Sequence, residues 1–119
     1  MRPSENDMSI FRVYSGDDGE SHFEDVTPEQ FAEIANRRGP GDISLNQRPS
    51  DYFSDYHNAP RQQYVMTLAG RAELEVADGS KRQMGPGDVL IAQDLTGHGH
   101  ILRHLGNEPR VSISVPLIG

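Results

Sequence analysis

The sequence of 119 residues has no cysteine, no long apolar run and no concentrated basic region. The absence of cysteine excludes disulfide bonds and zinc–thiolate sites, and it favours the cytoplasm as the compartment. No stretch approaches the roughly 20 consecutive apolar residues that a membrane-spanning helix needs. The polar and acidic segment 1–7 does not have the pattern of a secretory signal. We therefore expect a cytoplasmic protein without a membrane partner.

The charge balance is acidic, with a formal net charge of −7. Most of the basic residues are scattered along the chain, and we interpret most of them as solvated surface: Arg37, Arg38, Arg61, Lys81, Arg82, Arg103 and Arg110. A nucleic-acid-binding protein usually presents a basic face, so we expect no nucleic-acid partner. The length fits one domain. We expect a flexible tail over residues 1–8 and a single domain over 9–119.

Short segments with strand character, separated by turns rich in glycine, proline and aspartate, make up most of the chain. Residues 71–76 alternate charged and apolar side chains, as a half-buried strand requires. Asp78-Gly79 is typical of a hairpin turn. Strands are predicted over 9–14, 21–26, 71–76, 81–84, 89–92, 101–105 and 110–117. We interpret 42–54 as a loop, and the alternation of Ile43 and Leu45 within it leaves a further strand as the alternative. The spacing of the strands predicts an all-β sandwich or barrel.

One helix is predicted to begin after Thr27. Thr27 can cap it, Pro28 suits the first helical position, and Gln30 completes a capping box. The segment 39–41, Gly-Pro-Gly, is expected to end it. An apolar stripe of Phe31, Ile34 and Ala35 gives this helix one face to bury.

Two segments carry a family resemblance. The first runs from Tyr56 to a strand that ends in Leu68-Ala69-Gly70, and the second begins with Pro86-Gly87-Asp88 and an apolar strand. In this order and spacing they resemble the two signature motifs of the cupin family. The resemblance implies a small antiparallel β-barrel of the jelly-roll type, or double-stranded β-helix, that binds a small molecule. It also implies a homodimer, which an uncovered edge strand would favour.

The resemblance implies a metal site with three histidines and a glutamate, which this chain matches only in part. His57 stands at the first histidine position and Gln63 at the glutamate position, while Ala59 replaces the second histidine. The last histidine is His98 or His100. The expected ligands of a divalent metal (iron, manganese, nickel or zinc) are therefore His57, Gln63 and His100. A protein without a metal is the open alternative.

The metal-free alternative uses the same side chains. His57, Arg61, Gln63, Val65 and Thr67 share odd parity, so they would share one face of an extended strand. Arg61 would bind a carboxylate, enolate or phosphate. His57 or His100 would act as general acid or base, since imidazoles exchange protons near neutral pH. Gln63 would orient the substrate by hydrogen bonding, with Tyr56 at the rim.

These residues predict a small enzyme of isomerase, cyclase, lyase or dioxygenase type that acts on a polar organic molecule. A non-catalytic binding or sensor protein is the alternative, and a structural dimerisation module is a third hypothesis. Each residue also has a simpler interpretation. His57 could lie in a solvated loop, His98 could be exposed between its glycines, Arg61 could pair with Asp55 or Asp94, and Asp88 could close its own turn.

Overall fold

The computed structural model describes residues 9–118, so the tail predicted over 1–8 lies outside the described residues. This part of the chain is mostly β, with one short helix, α1, at Pro28–Ala35. In chain order the strands are β1 Ile10–Ser15, β2 Ser21–Asp25, β3 Ser44–Arg48, β4 Phe53–His57, β5 Gln63–Ala69, β6 Arg71–Glu75, β7 Lys81–Met84, β8 Val89–Gln93, β9 His100–Leu105 and β10 Arg110–Pro116.

The strands form two sheets. The six-stranded sheet has the order β2-β1-β8-β5-β10-β3, and the four-stranded sheet has the order β4-β9-β6-β7. Pairing is antiparallel except between β1 and β8, which run parallel. Over residues 9–118 these ladders do not close into a barrel. The expected all-β character is therefore confirmed, in the form of two separate sheets.

The main core lies between the sheets. It joins Phe11 and Val13 of β1 and Leu90 of β8 to Leu74 of β6 and Met84 of β7, so both sheets contribute to one apolar cluster. The alternation along the sequence that predicted β6 places Ala72 and Leu74 in the core, while Glu73 and Glu75 lie on the other face of the sheet. Burial of these side chains stabilises the fold by about 1.5–3 kcal/mol for each large one.

A second apolar cluster lies on the outer side of the six-stranded sheet, where Phe31 and Ile34 of α1 pack near Val89 and Ile91. Strand β8 is therefore buried on both faces over its first four residues, which explains the apolar run from Val89 to Ala92. The capping box of Thr27 and Gln30 is confirmed, because each side chain bonds the backbone N–H of the other residue.

Two local predictions are wrong. The helix ends at Ala35 with Asn36 as its C-cap, before the Gly-Pro-Gly segment at 39–41, because the chain at Arg38 already pairs with Leu117. The segment 42–54 is not a loop, because it contains strand β3, where the alternation of Ile43 and Leu45 indicated a further strand. Strand β4 begins within the same segment, at Phe53, and runs to His57. Its ladder with β9 contains a register shift between Ser54 and His57, and this irregularity removes the alternation that would have revealed the strand.

No helix within residues 9–118 has the length and apolar character that crossing a membrane requires.

Candidate functional site

Two adjoining cavities lie between the sheets. The outer cavity has a volume of about 420 Å³ and the inner one about 110 Å³. Both are lined by Pro60, Gln63, Val65, Leu102 and Arg110, so the two cavities are direct neighbours. The outer volume falls in the range of pockets that bind small molecules.

The outer cavity is polar and basic. Arg48, Arg61 and Arg110 line it, together with small polar side chains from β3 and β10: Ser44, Asn46, Ser112 and Ser114. No aspartate or glutamate of residues 9–118 lines either cavity. The charged side chains that line the outer cavity are therefore positive, although the chain as a whole has a net charge of −7. Such a surface attracts anions.

Arg110 lies where the two cavities meet. Its side chain is 7% exposed, and its Nη2 donates a hydrogen bond of 3.0 Å to Thr67 Oγ1. Its Nε has no hydrogen-bond partner within the described chain. Burial lowers the pKa of Arg110 to about 10, so the guanidinium still carries its charge at neutral pH. The sequence-based interpretation of Arg110 as solvated surface is wrong, because its face of β10 turns toward the cavity.

His104 also lines the outer cavity, where its Nδ1 donates to the carbonyl oxygen of Pro49 over 3.0 Å. Burial lowers the pKa of His104 below its ordinary value, and the positive charges of Arg110 and Arg48 lower it further. His104 is therefore mainly neutral at pH 7, and an anion bound in this cavity would favour its protonation.

The inner cavity is mainly apolar, with side chains from the core such as Leu74, Met84 and Leu90. Two histidines, His57 and His100, line it, and their ring centroids are 4.5 Å apart. The inner cavity thus combines an apolar wall with two imidazoles. An apolar surrounding strengthens electrostatic interactions and limits the entry of water.

His100 is held by a buried carboxylate. Its Nδ1 lies 2.6 Å from Asp94 Oδ2, and the two residues are 5% and 0% exposed. Ser21 Oγ donates to the same oxygen over 2.7 Å, while Asp94 Oδ1 has no partner among the described residues. Because a carboxylate accepts hydrogen bonds, Nδ1 is the donor and Nε2 is left as the basic nitrogen. This pair fixes the orientation of the ring.

His57 reaches the cavity from the four-stranded sheet. It is the last residue of β4, directly opposite His100 of β9, and its Nδ1 lies 2.8 Å from the carbonyl oxygen of Asp55 and 3.1 Å from Ser54 Oγ. Gly99 adopts a φ of +84°, and a Cβ at that position would clash with the backbone oxygen of His57. Glycine at 99 therefore permits the close approach that brings the two histidines together.

Arg61 and Gln63 are bonded to each other. Arg61 Nε donates to Gln63 Oε1 over 3.0 Å, and Arg61 Nη2 donates to the carbonyl oxygen of Asp42 over 3.1 Å. The alternative pairing of Arg61 with Asp55 or Asp94 is not formed. The parity expected from the sequence holds within β5, where Gln63 and Val65 line the cavities, although His57 belongs to the other sheet.

The donors present fit a divalent metal poorly. Over residues 9–118 no group of three or more histidine, cysteine, aspartate or glutamate side chains is placed to hold one. The third ligand expected from the sequence, Gln63, is a neutral amide whose oxygen already accepts from a guanidinium. Arg61 and Arg110 add positive charge to the same space. We therefore propose no metal-dependent step.

Tyr56 and His98 lie together outside both cavities. Their rings stack with centroids 4.1 Å apart, and His98 Nδ1 is 2.9 Å from Glu20 Oε1. Of the two candidate histidines, His100 is thus the one that lines the cavity. Asp88 closes its turn, because it accepts from the N–H groups of Gly85 and Ser9.

Three important residues were missed from the sequence as site residues: Asp94, Arg110 and Arg48. The alternation of Arg110, Ser112 and Ser114 with apolar neighbours was a signal for one polar face of β10. That signal alone does not tell whether the polar face meets solvent or lines a cavity. Asp94 stands next to an exposed loop in sequence, and only the fold brings it to His100.

No family model and no curated protein matches the chain.

Proposed function

We propose that the protein is a small cupin-type jelly roll with metal-free acid–base activity on a small polar organic molecule. The two-sheet core, the glycine that ends β5, the Pro-Gly-Asp turn before β8 and the histidine that opens β9 support the family assignment. The observation that carries the activity is the buried Asp94–His100 pair beside an apolar chamber. Paired in this way, imidazoles serve as general bases.

The reaction class that this geometry supports is proton removal next to a carboxylate. His100 Nε2 takes a proton from the carbon, and the electron pair of the C–H bond moves into the carboxylate to form an enolate. Asp94 stabilises the imidazolium that results. Arg110, which lines both cavities, and Arg61, which lines the outer one, bind the developing negative charge, and Gln63 orients the substrate.

The enolate then reacts in one of two ways. In an isomerisation, His57 donates a proton to the carbon from another direction, and His100 releases the proton that it took to water. In a lyase reaction, the enolate expels a leaving group, which takes up the proton held by His100. The two imidazoles, 4.5 Å apart, provide one group for each proton transfer.

Proton exchange at carbon tests this proposal directly. A panel of small carboxylic acids is incubated with the protein in D₂O, and loss of the signal of the proton next to the carboxylate is followed by NMR. We expect exchange for at least one acid, and His100→Gln should slow it about 100-fold or more. His22→Gln is the matched control, because His22 pairs with Asp18 in the same way on the surface.

Exchange that persists in His100→Gln would contradict the assignment of the base. Stabilisation of the protein by an acid that undergoes no exchange or conversion would instead favour the binding or sensor alternative.

We also propose that the protein is a homodimer paired through β3. This strand lies at the edge of the six-stranded sheet, and its Leu45 is 70% exposed beside exposed Ile43. An exposed edge with apolar side chains favours pairing with a second chain. Light scattering should give twice the chain mass, and Leu45→Asp should reduce it to one chain. Leu95→Asp, on a loop, should leave it unchanged, and a wild-type monomer would contradict the proposal.

A further inference from the structure

The arginines of residues 9–118 differ in the partners of their guanidinium groups. Outside the cavities, Arg12 pairs with Glu24, Arg82 with Asp25, and Arg103 with Glu73 and Glu75. Arg38 and Arg71 instead donate to the neutral oxygens of Gly41 and Gln83. The three arginines of the cavities form no ion pair with a carboxylate of residues 9–118. Of these three, Arg110 is buried, Arg61 is half-buried, and Arg48 is exposed with its guanidinium 4.7 Å from the centroid of the Tyr52 ring. The buried positive charge of Arg110 is therefore not balanced by the described chain.

Arg48 and Arg110 are neighbours across two strands. They are directly opposite each other in the ladder of β3 and β10, and both line the outer cavity. Like charges opposite each other on one face of a sheet destabilise the pair. An anion between the two guanidiniums would turn this repulsion into attraction.

The burial of Arg110 strengthens this argument. A buried charge without a counter-charge is costly to the folded state, and so is a buried N–H without an acceptor. Arg110 has both features, since its Nε lacks a partner and no carboxylate of residues 9–118 lies within ion-pair distance. A carboxylate or phosphate oxygen would supply the missing acceptor and the missing charge together.

We propose that Arg48 and Arg110 form a subsite for the carboxylate or phosphate group of a small organic anion. The charged end of the ligand lies between the two guanidiniums, and its slim apolar body extends into the inner chamber toward His100. Ser112 and Asn46 from the same strands offer further hydrogen bonds. A doubly charged ligand binds more tightly, because Arg61 lines the same cavity.

This inference deepens the proposed function, and it rests on that function only for treating the anion as a substrate. Binding itself follows from the charges and the burial of Arg110.

Titration calorimetry with defined probes tests the subsite. The probes are sodium butyrate, sodium succinate and sodium phosphate, with neutral butyramide as the matched control for butyrate, all at equal ionic strength. We expect at least one of the three anions to bind with a Kd of about 1 mM or tighter and butyramide at least about 10-fold more weakly. Butyrate or succinate without phosphate identifies a carboxylate subsite, and the reverse result a phosphate subsite.

Variants connect the binding to the two arginines. Arg110→Met and Arg48→Met should each weaken binding about 10-fold or more, and Arg110→Lys, which keeps the charge, should weaken it less. Arg103→Met is the control, since Arg103 pairs with glutamates on the other sheet. If Arg110→Met does not fold, Arg48→Met and Arg110→Lys carry the test. Equal loss in Arg103→Met, or no anion binding by the wild type, would overturn the inference.

The His100→Gln variant separates this inference from the proposed function. Normal anion binding by wild type and variant, without proton exchange in the wild type, would leave the subsite in place and refute the enzyme. Proton exchange in the wild type that does not depend on Arg48 or Arg110 would refute the subsite and leave the enzyme.

Discussion

Arginine has opposite surroundings on the outer face of the four-stranded sheet and in the cavities. On that face Arg103 bonds Glu73 over 2.8 Å and Glu75 over 2.9 Å, from the neighbouring strand β6. In the cavities Arg48 and Arg110 oppose each other, and no aspartate or glutamate of residues 9–118 lines the space. The first arrangement is complete without a ligand, whereas the second lacks a counter-charge.

We interpret this difference as a division between charges that stabilise the fold and charges that, in our proposal, bind a ligand. Cross-strand pairs of opposite charge support a sheet and keep its surface soluble. A buried unpaired cation reduces stability, and proteins retain such groups chiefly where they act. Histidines follow the same division, because His22 pairs with Asp18 on the surface while His100 pairs with fully buried Asp94.

The largest expected effect comes from the buried carboxylate. In Asp94→Asn the charge that stabilises the imidazolium of His100 is lost, so turnover should fall about 10²–10⁴-fold. Asp18→Asn, at the exposed pair, should leave turnover unchanged. Steady-state kinetics on any acid that exchanges its proton measures both variants. Equal rates for Asp94→Asn and the wild type would mean that the buried Asp94–His100 pair contributes no more to turnover than the exposed Asp18–His22 pair.

Stability should change in opposite directions at the two arginine sites. Without ligand, Arg110→Met removes an unpaired buried charge and should raise the free energy of unfolding by about 1–2 kcal/mol. Arg103→Met removes ion pairs and should lower it by about 0.5–1 kcal/mol. Urea titration measures both. The double variant Arg110→Met/Thr67→Val controls for the bond that Thr67 loses, and a large loss of stability in it would contradict this account.

The pH dependence of stability should contain a contribution from His104. Its pKa is lowered in the folded protein, chiefly by burial, so near pH 6 the unfolded chain binds more protons than the folded one. Stability should therefore fall as the pH drops through the ordinary histidine pKa of about 6.5. His104→Gln should reduce this slope in urea titrations between pH 8 and about 5.5. An unchanged slope would refute the contribution.

The smallest expected effect is the coupling between Glu73 and Arg103. The hydrogen bond from Arg103 lowers the pKa of Glu73, so this contribution is present above pH about 4.5 and is lost as the pH falls through the lowered pKa. A double-mutant cycle with Glu73→Gln and Arg103→Met should give about 0.5–1 kcal/mol at pH 7. A coupling near zero at pH 7 would mean that the surface pairs do not support the sheet.

Periodic segments of the sequence predicted much of the fold. β6 alternates charged and apolar side chains, and the first four residues of β8 are apolar, so both strands could be recognised, as could the capping box at Thr27. β4 could not, because its register shift breaks the alternation.

The site was predictable only in part, for two physical reasons. His57, Gln63 and His100 line the cavities, but the resemblance that led to them does not reveal Asp94, which reaches His100 through the loop after β8. The burial of Arg110 depends on which face of β10 turns inward. The alternation of polar and apolar residues along β10 shows that its two faces differ. It does not show which face points into the molecule, because a polar face can line an interior cavity.

An anion bound at Arg110 should change the surroundings of its Nε–H, and ¹⁵N NMR of arginine Nε–H groups detects this change most directly. The Arg110 signal is assigned by its loss in Arg110→Met and followed during titration with succinate and phosphate. We predict a saturable shift of this signal with the Kd found by calorimetry, while the Arg103 signal stays in place. An Arg110 signal that does not move at anion concentrations that saturate calorimetry would contradict the account.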